Sequence, residues 1–125
     1  MARGARKILG DRGEAAAAEW LADHGYEVLD RNVRTRFGEI DLVARRAGVV
    51  VFVEVKTRTG AGFGHPGEAV ADRKQRRLAR LASAYLQRRG LDGCAVRFDV
   101  IALLLTRDGA IGGFEHVPDA FQVIP

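Results

Sequence analysis

The 125-residue chain contains one cysteine, Cys94. One thiol excludes an intrachain disulfide framework and a thiolate metal cluster, and Cys94 reads as a small core hydrophobe. Long apolar runs are also missing. No segment approaches the ~18 consecutive apolar residues of a membrane span. The first residues, MARGARKILGDRGEAAAAEW, lack the unbroken apolar stretch of a secretory signal. A soluble, cytoplasmic protein is therefore expected. No internal repeat, low-complexity tract or linker interrupts the chain, so a single domain over 1–125 is expected, with residues 1–9 as a loose basic arm. Negative charge is missing from one long stretch. Between 73 and 89 there is no Asp or Glu, while Arg73, Lys74, Arg76, Arg77, Arg80, Arg88 and Arg89 crowd it.

What is present fits a globular protein with an acidic partner. Hydrophobic residues make up 47% of the chain, and the net charge is +4. That sign favours nucleic acid without identifying it. A helix is predicted from about Asp11 to His24, with Ala16, Ala17, Trp20 and Leu21 on its apolar face and Gly25 ending it. Strands are predicted at Tyr26–Val33, Phe37–Arg45 and Val49–Thr57, followed by a Gly-rich loop over 58–69. A second helix spans about 70–89, with Leu78, Leu81, Ala82 and Tyr85 at helical spacing. A strand at Ala95–Leu105 and a weaker one near Ala110–His116 complete the pattern. The order α-β-β-β-α-β predicts an α/β fold with a mixed sheet flanked by helices.

The third strand poses a question. Val49, Val50, Val51, Phe52, Val53 and Val55 form an apolar run, yet Glu54 and Lys56 lie inside it. Burying charge is costly unless the charge is paired. If Ala47-Gly48 is a tight hairpin turn, Arg46 faces Val49, Asp41 faces Glu54 and Glu39 faces Lys56. Opposed residues share a face with Cβ atoms about 4.5–5.5 Å apart. The hairpin is thus expected to gather Glu39, Asp41, Glu54 and Lys56. Two opposed carboxylates repel, and burial worsens this. A hard divalent cation such as Mg²⁺ or Mn²⁺ would remove the conflict. A lysine beside it would orient water or stabilise charge on a phosphate. The structural alternative is a ladder of ion pairs, with Lys56 neutralising Glu39 or Glu54.

Asp41, twelve intervening residues and then Glu54-Val55-Lys56 resemble the D…(D/E)-x-K signature of the PD-(D/E)xK nucleases. The surrounding GEIDLVARRAGVVVFVEVKTRTGAGFGHPGEAV, the earlier GEAAAAEWLADHGYEVLDRNVR, and the later KQRRLARLASAYL and VRFDVIALLL resemble the YraN-like family of small bacterial proteins. The resemblance spans nearly everything from Gly10 onward. It implies a restriction-endonuclease-like core similar to that of Holliday-junction resolvases. It also implies Mg²⁺- or Mn²⁺-dependent hydrolysis of DNA, duplex or branched. Residue by residue, Asp41 takes the place of the motif aspartate, Glu54 of the acidic residue and Lys56 of the lysine. Glu14 takes the place of the first-helix glutamate that helps hold metal in the resolvase-like branch; by pattern alone it reads as a first-turn carboxylate suited to the helix dipole. Ile40 stands where the motif often has proline. The likeness to resolvases further implies a homodimer.

Arg34, Arg36, Arg73, Lys74 and Arg77 are the expected DNA-backbone contacts, and Lys74 or Gln75 is near enough to the helix start to reach the site. His65 and Gly60, Gly62, Gly64 and Gly67 belong to the loop. Asp99 reads as a structural ion pair, with support of the site from a neighbouring strand as the alternative, and Trp20 and Tyr85 read as core. The competing functions are a non-catalytic DNA-binding module and a partner-bridging protein on the same fold.

Overall fold

Hairpin chemistry builds half of the sheet. In the computed structural model, which describes residues 3–59 and 72–122, β1 (Glu27–Thr35), β2 (Gly38–Arg46) and β3 (Val49–Thr59) form an antiparallel meander. The β2–β3 turn is Ala47-Gly48, both at positive φ (51° and 79°), as a primed two-residue turn requires. The register follows from it. Arg46 faces Val49, and pairing continues to Leu42 opposite Val53.

A crossover then carries the chain through α2 (Asp72–Arg88) to β4 (Ala95–Leu105), which lies parallel to β3. Strand β5 (Ile111–Phe121) returns antiparallel to β4 and forms one edge. The sheet order is β1-β2-β3-β4-β5. This is the mixed sheet expected, in a restriction-endonuclease-like α/β arrangement.

The two helices cover different faces. α2 buries Leu78, Ala79, Leu81, Ala82, Tyr85 and Leu86 against Ile40, Val43, Val50, Phe52, Phe98 and Val100. α1 (Arg3–Asp23) buries Ala17, Ala18 and Leu21 against Leu42, Ala44, Val51, Val53, Ile101 and Leu103. Strand alternation explains the division, since neighbouring side chains point to opposite faces. Two hydrogen bonds close α1, Tyr26 N–H to Leu21 O (2.9 Å) and Gly25 N–H to Ala22 O (3.4 Å), with Gly25 at φ 88°. This is the Schellman stop that a glycine after the last helical turn predicts.

Several boundaries differ from the sequence pattern. α1 begins at Arg3 rather than near Asp11, so the stretch expected as a loose arm has helical backbone from residue 3. Ala5, Arg6, Lys7 and Leu9 are good helix formers, and the amphipathic pattern that marks α1 starts only later. β5 runs on to Phe121, well past His116. Among the described residues, no helix is long and apolar enough to cross a membrane. His65 and the glycines between 60 and 67 lie outside the described residues.

Candidate active site

The site forms where β2 and β3 part. Their pairing reaches Leu42 and Val53. One step further, the Asp41 carboxylate takes the place of a backbone partner: its Oδ2 accepts the Val55 N–H at 2.8 Å.

On its other side, β2 is irregular. Its pairing with β1 passes from Arg31–Leu42 to Val33–Ile40. Between those pairs stands Asn32, a non-glycine residue at φ 55°. Leu42 packs in the α1 core and Ile40, two residues away, in the α2 core. In a regular strand both would face the same way. The alternation therefore slips by one at Asn32 and Asp41. Left-handed backbone on a non-glycine residue is uncommon, asparagine bears it best, and such positions concentrate at functional sites.

Glu54 faces α2, where Lys74 closes an ion pair onto its Oε1. Only 9% of Glu54 is exposed. Lys56, two residues on and on the same face, is half-buried. Burial lowers its ammonium pKa, and the Lys74 charge lowers it further against the pull of Glu54 and Asp41. Asp41 is driven the other way. Burial pushes its carboxyl from 3.8 to about 7, Glu54 adds to the rise, the Val55 N–H opposes it, and Glu14 contributes from the α1 side. Two carboxylates and two ammonium groups thus converge, and one carboxylate is not fully compensated.

Glu14 is held over the same end of the sheet by a close approach. The preceding Gly13 is buried, and a Cβ there would collide with the Thr57 Oγ1 of β3. That hydroxyl is buried and has no hydrogen-bond partner among the described residues. Glu14 itself is half-buried. Burial, then the Asp11 charge, raises its carboxyl above the ordinary value, while Arg31 pulls it down.

Glu39 does not join the cluster as the simple hairpin predicts. The slip at Asp41 sends it away from Glu54 and Lys56, and it instead meets Arg34 across the β1–β2 pair at 3.5 Å, with both side chains mostly exposed. Of the other basic residues, Arg36 lies over the Phe37 ring (5.0 Å to its centroid), Arg73 is exposed on the first turn of α2, and Arg77 lies beside the β1–β2 turn. Lys74, named from sequence among the DNA contacts and among the residues near the site, is bound to Glu54. Asn32, Gly13 and Thr57 were not singled out by sequence. Only Gly13, beside an acidic residue early in a helix, carried any signal, since a glycine inside a helix costs stability and asks for a reason.

An oxygen-binding cation is a chemical fit for Asp41 and Glu54. Each carboxylate has several lone-pair positions, and a cation would relieve their mutual repulsion. Mg²⁺ is commonly held by one or two carboxylates with water and phosphate oxygens completing its shell. Among the described residues, no three His, Cys, Asp or Glu side chains form a ready ligand group. The pair, with Glu14 behind it, is what this chain offers such an ion.

Comparison with known proteins gives a consistent family assignment. Residues 13–103 match the model of the uncharacterised protein family UPF0102. A UPF0102 protein of Symbiobacterium thermophilum is 56% identical over 103 residues, covering 82% of this chain and 87% of the relative. One from Moorella thermoacetica is 50% identical over 116 residues, with 93% and 97% covered. A third, from Rhodococcus jostii, is 49% identical over 113 residues, with 90% and 95% covered. The family match includes Glu14, Asp41, Glu54, Lys56 and Lys74, and the chain belongs to UPF0102, the YraN-like group of the restriction-endonuclease-like superfamily.

Proposed function

We propose that this protein is a metal-dependent nuclease that hydrolyses phosphodiester bonds in DNA. One observation carries the reading: Asp41 and Glu54 are pressed together at the parting of two strands, with Lys56 beside them. Folding alone gains nothing from that repulsion. A Mg²⁺ or Mn²⁺ ion held there would polarise the phosphate and lower the pKa of a bound water. Asp41 and Glu54 are the residues that would hold it, and Glu14, whose charge reaches Asp41 from α1, would add a third carboxylate. Asp41 is fixed in direction by the Val55 N–H, which leaves lone pairs on both carboxylate oxygens for further partners. Lys56, on the same face as Glu54, would orient the attacking water or stabilise charge developing on the phosphate. Burial and the Lys74 charge lower its pKa, which makes its proton easier to give up. Lys74 holds Glu54 in place until substrate or cation takes over that charge.

The test is a labelled panel of single strand, duplex, flap and four-way junction, incubated with Mn²⁺ beside an identically purified Asp41→Asn variant. Wild-type cleavage lost in Asp41→Asn, with DNA binding retained, supports the reading. Undiminished cleavage by Asp41→Asn sinks the mechanism.

A second reading is a DNA-binding module without catalysis. The Lys74–Glu54 pair favours it, because Glu54 already has a counter-charge without any metal ion. It predicts salt-sensitive DNA binding and no Mn²⁺-dependent products.

A further inference from the structure

The β1–β2 turn carries a large apolar side chain into solvent. Phe37 is 68% exposed, the most exposed large hydrophobic residue among those described. Its place is fixed. Thr35 Oγ1 donates to Gly38 O at 3.0 Å and accepts the Phe37 N–H at 3.1 Å, which locks the turn. Gly38 then allows close approach of α2: a Cβ there would lie 3.2 Å from Leu81 Cδ1 and 3.4 Å from Arg77 Cδ. Between turn and helix lies a groove of about 650 Å³, lined by Thr35, Phe37, Arg77, Arg80, Leu81 and Arg88 among others. That volume falls in the range of about 300–1,000 Å³ typical of ligand sites.

The groove points back to the carboxylates. Lys74, Arg77, Leu81, Ala84 and Arg88 recur at alternating three- and four-residue spacing, which makes one stripe along α2. Its first member holds Glu54, and the others line the groove. From Lys74 to Arg88 the helix rises about 21 Å. Among the described residues, none of Arg77, Arg80 and Arg88 forms an ion pair with an acidic side chain. The lining residues include no carboxylate.

We propose that this groove binds a single-stranded segment of DNA, with Phe37 stacking on an unpaired base and Arg77, Arg80 and Arg88 following the phosphates. A duplex keeps its bases stacked inside and offers Phe37 no face. An exposed ring within a row of unpaired cations is the combination by which single strands are held without regard to sequence. Self-association is disfavoured by the same charges, because a two-fold contact through this groove would bring arginines against arginines. Arg36 lies over one face of the ring, 5.0 Å from its centroid, which leaves the opposite face for a base. The proposal rests on the reading of the chain as a DNA enzyme and specifies which part of the DNA lies beside the site. It does not depend on cleavage.

The test is fluorescence anisotropy in EDTA with three labelled probes of equal length: oligo-dT, an abasic single strand and a duplex. Wild type is expected to bind oligo-dT more tightly than the abasic strand. Phe37→Ala should weaken oligo-dT binding about 5- to 100-fold and leave abasic and duplex binding nearly unchanged. Arg77→Gln with Arg80→Gln should weaken both single strands and flatten the salt dependence. Equal oligo-dT affinity for Phe37→Ala and wild type overturns the proposal, as does an abasic strand bound as tightly as oligo-dT. A DNA-free dimer in ultracentrifugation that Phe37→Ala abolishes also overturns it, because a second copy then fills the groove. If the Phe37 effect appears and no probe is ever cut, the groove stands and the nuclease reading fails. If cleavage occurs and Phe37 has no effect, the reverse holds.

Discussion

Two aspartates on the strands that flank β3, Asp41 on β2 and Asp99 on β4, are treated oppositely. Asp99, on β4, is fully buried and fully answered. Arg97 grips it with two hydrogen bonds of 2.8 Å, His116 Nε2 lies 2.7 Å away, and the Asp119 N–H donates at 2.9 Å. Arg97 also reaches the Tyr26 hydroxyl at 2.7 Å, which ties the end of α1 to the same cluster. Burial alone would raise the Asp99 carboxyl, but His116, Arg97 and the Asp119 N–H together hold it below the ordinary value. Asp41 is less buried, has one N–H, and faces Glu54 and Glu14, so its carboxyl is raised to about 7. The same side chain is satisfied in one place and frustrated in the other. Completed hydrogen bonding fits a structural carboxylate, and unrelieved repulsion fits the ligand-holding role proposed for Asp41.

The contrast can be broken most severely at Asp99. Asp99→Ala leaves Arg97 and His116 without their shared partner and should cost about 3–5 kcal/mol, read as a lower urea midpoint at about pH 8. Asp41→Asn keeps an oxygen for the Val55 N–H and removes the repulsion. It should unfold at the same midpoint as wild type or a higher one.

The pH dependences of the two sites should have opposite signs. A lowered pKa means that the Asp99 contribution is present above 3.8 and is lost as pH falls through the folded value. A raised pKa means that the Asp41 contribution is fully present below 3.8 and is lost as pH rises to about 7. Without metal, wild type should lose stability across that upper window by at most about 1.4 kcal/mol per pH unit, and Asp41→Asn should remove that slope. Urea midpoints measured from about pH 5 to 8 would reveal it; an unchanged slope in Asp41→Asn would show that another group titrates.

A smaller effect is expected at the contact that positions Glu14. Gly13→Ala should cost about 1–3 kcal/mol through overpacking against Thr57, and Thr57→Ala in the same chain should recover most of it. If Thr57→Ala gives no recovery, the contact does not set the position of α1.

Lys74→Met leaves Glu54 with no cation from α2. It should lower Tm, and Mn²⁺ should raise Tm further in this variant than in wild type, by about 4 °C for each 1 kcal/mol of added binding. Equal Mn²⁺ shifts in both proteins would show that Lys74 does not compete for Glu54. Smallest of all is Glu39→Gln. Its exposed pair with Arg34 should be worth less than about 1 kcal/mol, and Mn²⁺ affinity should not change, because Glu39 lies on the other side of the slip.

Much of this was legible in the sequence for identifiable reasons. Ala47-Gly48 fixes the β2–β3 register because the length of a two-residue turn sets which residues oppose one another, and Asp41 falls beside Glu54 as a result. Leu78, Leu81, Ala82 and Tyr85 mark α2 by periodicity alone. Glu39 was misplaced because a left-handed Asn32 looks like any polar strand residue, so the slip beside Asp41 left no pattern to read. The Lys74–Glu54 contact depends on where a crossover helix lands, which periodicity does not encode, although closeness to the helix start hinted at it. Phe37 passed for an ordinary strand residue because its exposure depends on how the β1–β2 turn packs against α2. Asp99 was read correctly as structural, but its link to His116 required the pairing of β4 with β5.

The slip at Asn32 and Asp41 gives the molecule one window in an otherwise opaque wall. Beside it, buried valines and leucines fill the two separate cores on either side of the sheet. At Asp41, α1 is felt through Glu14 and α2 through Lys74 on a single carboxylate. Chemistry at this point is therefore tunable from either side of the protein. A charge change at Asp11, which acts on Glu14, would reach Asp41 by way of that carboxyl.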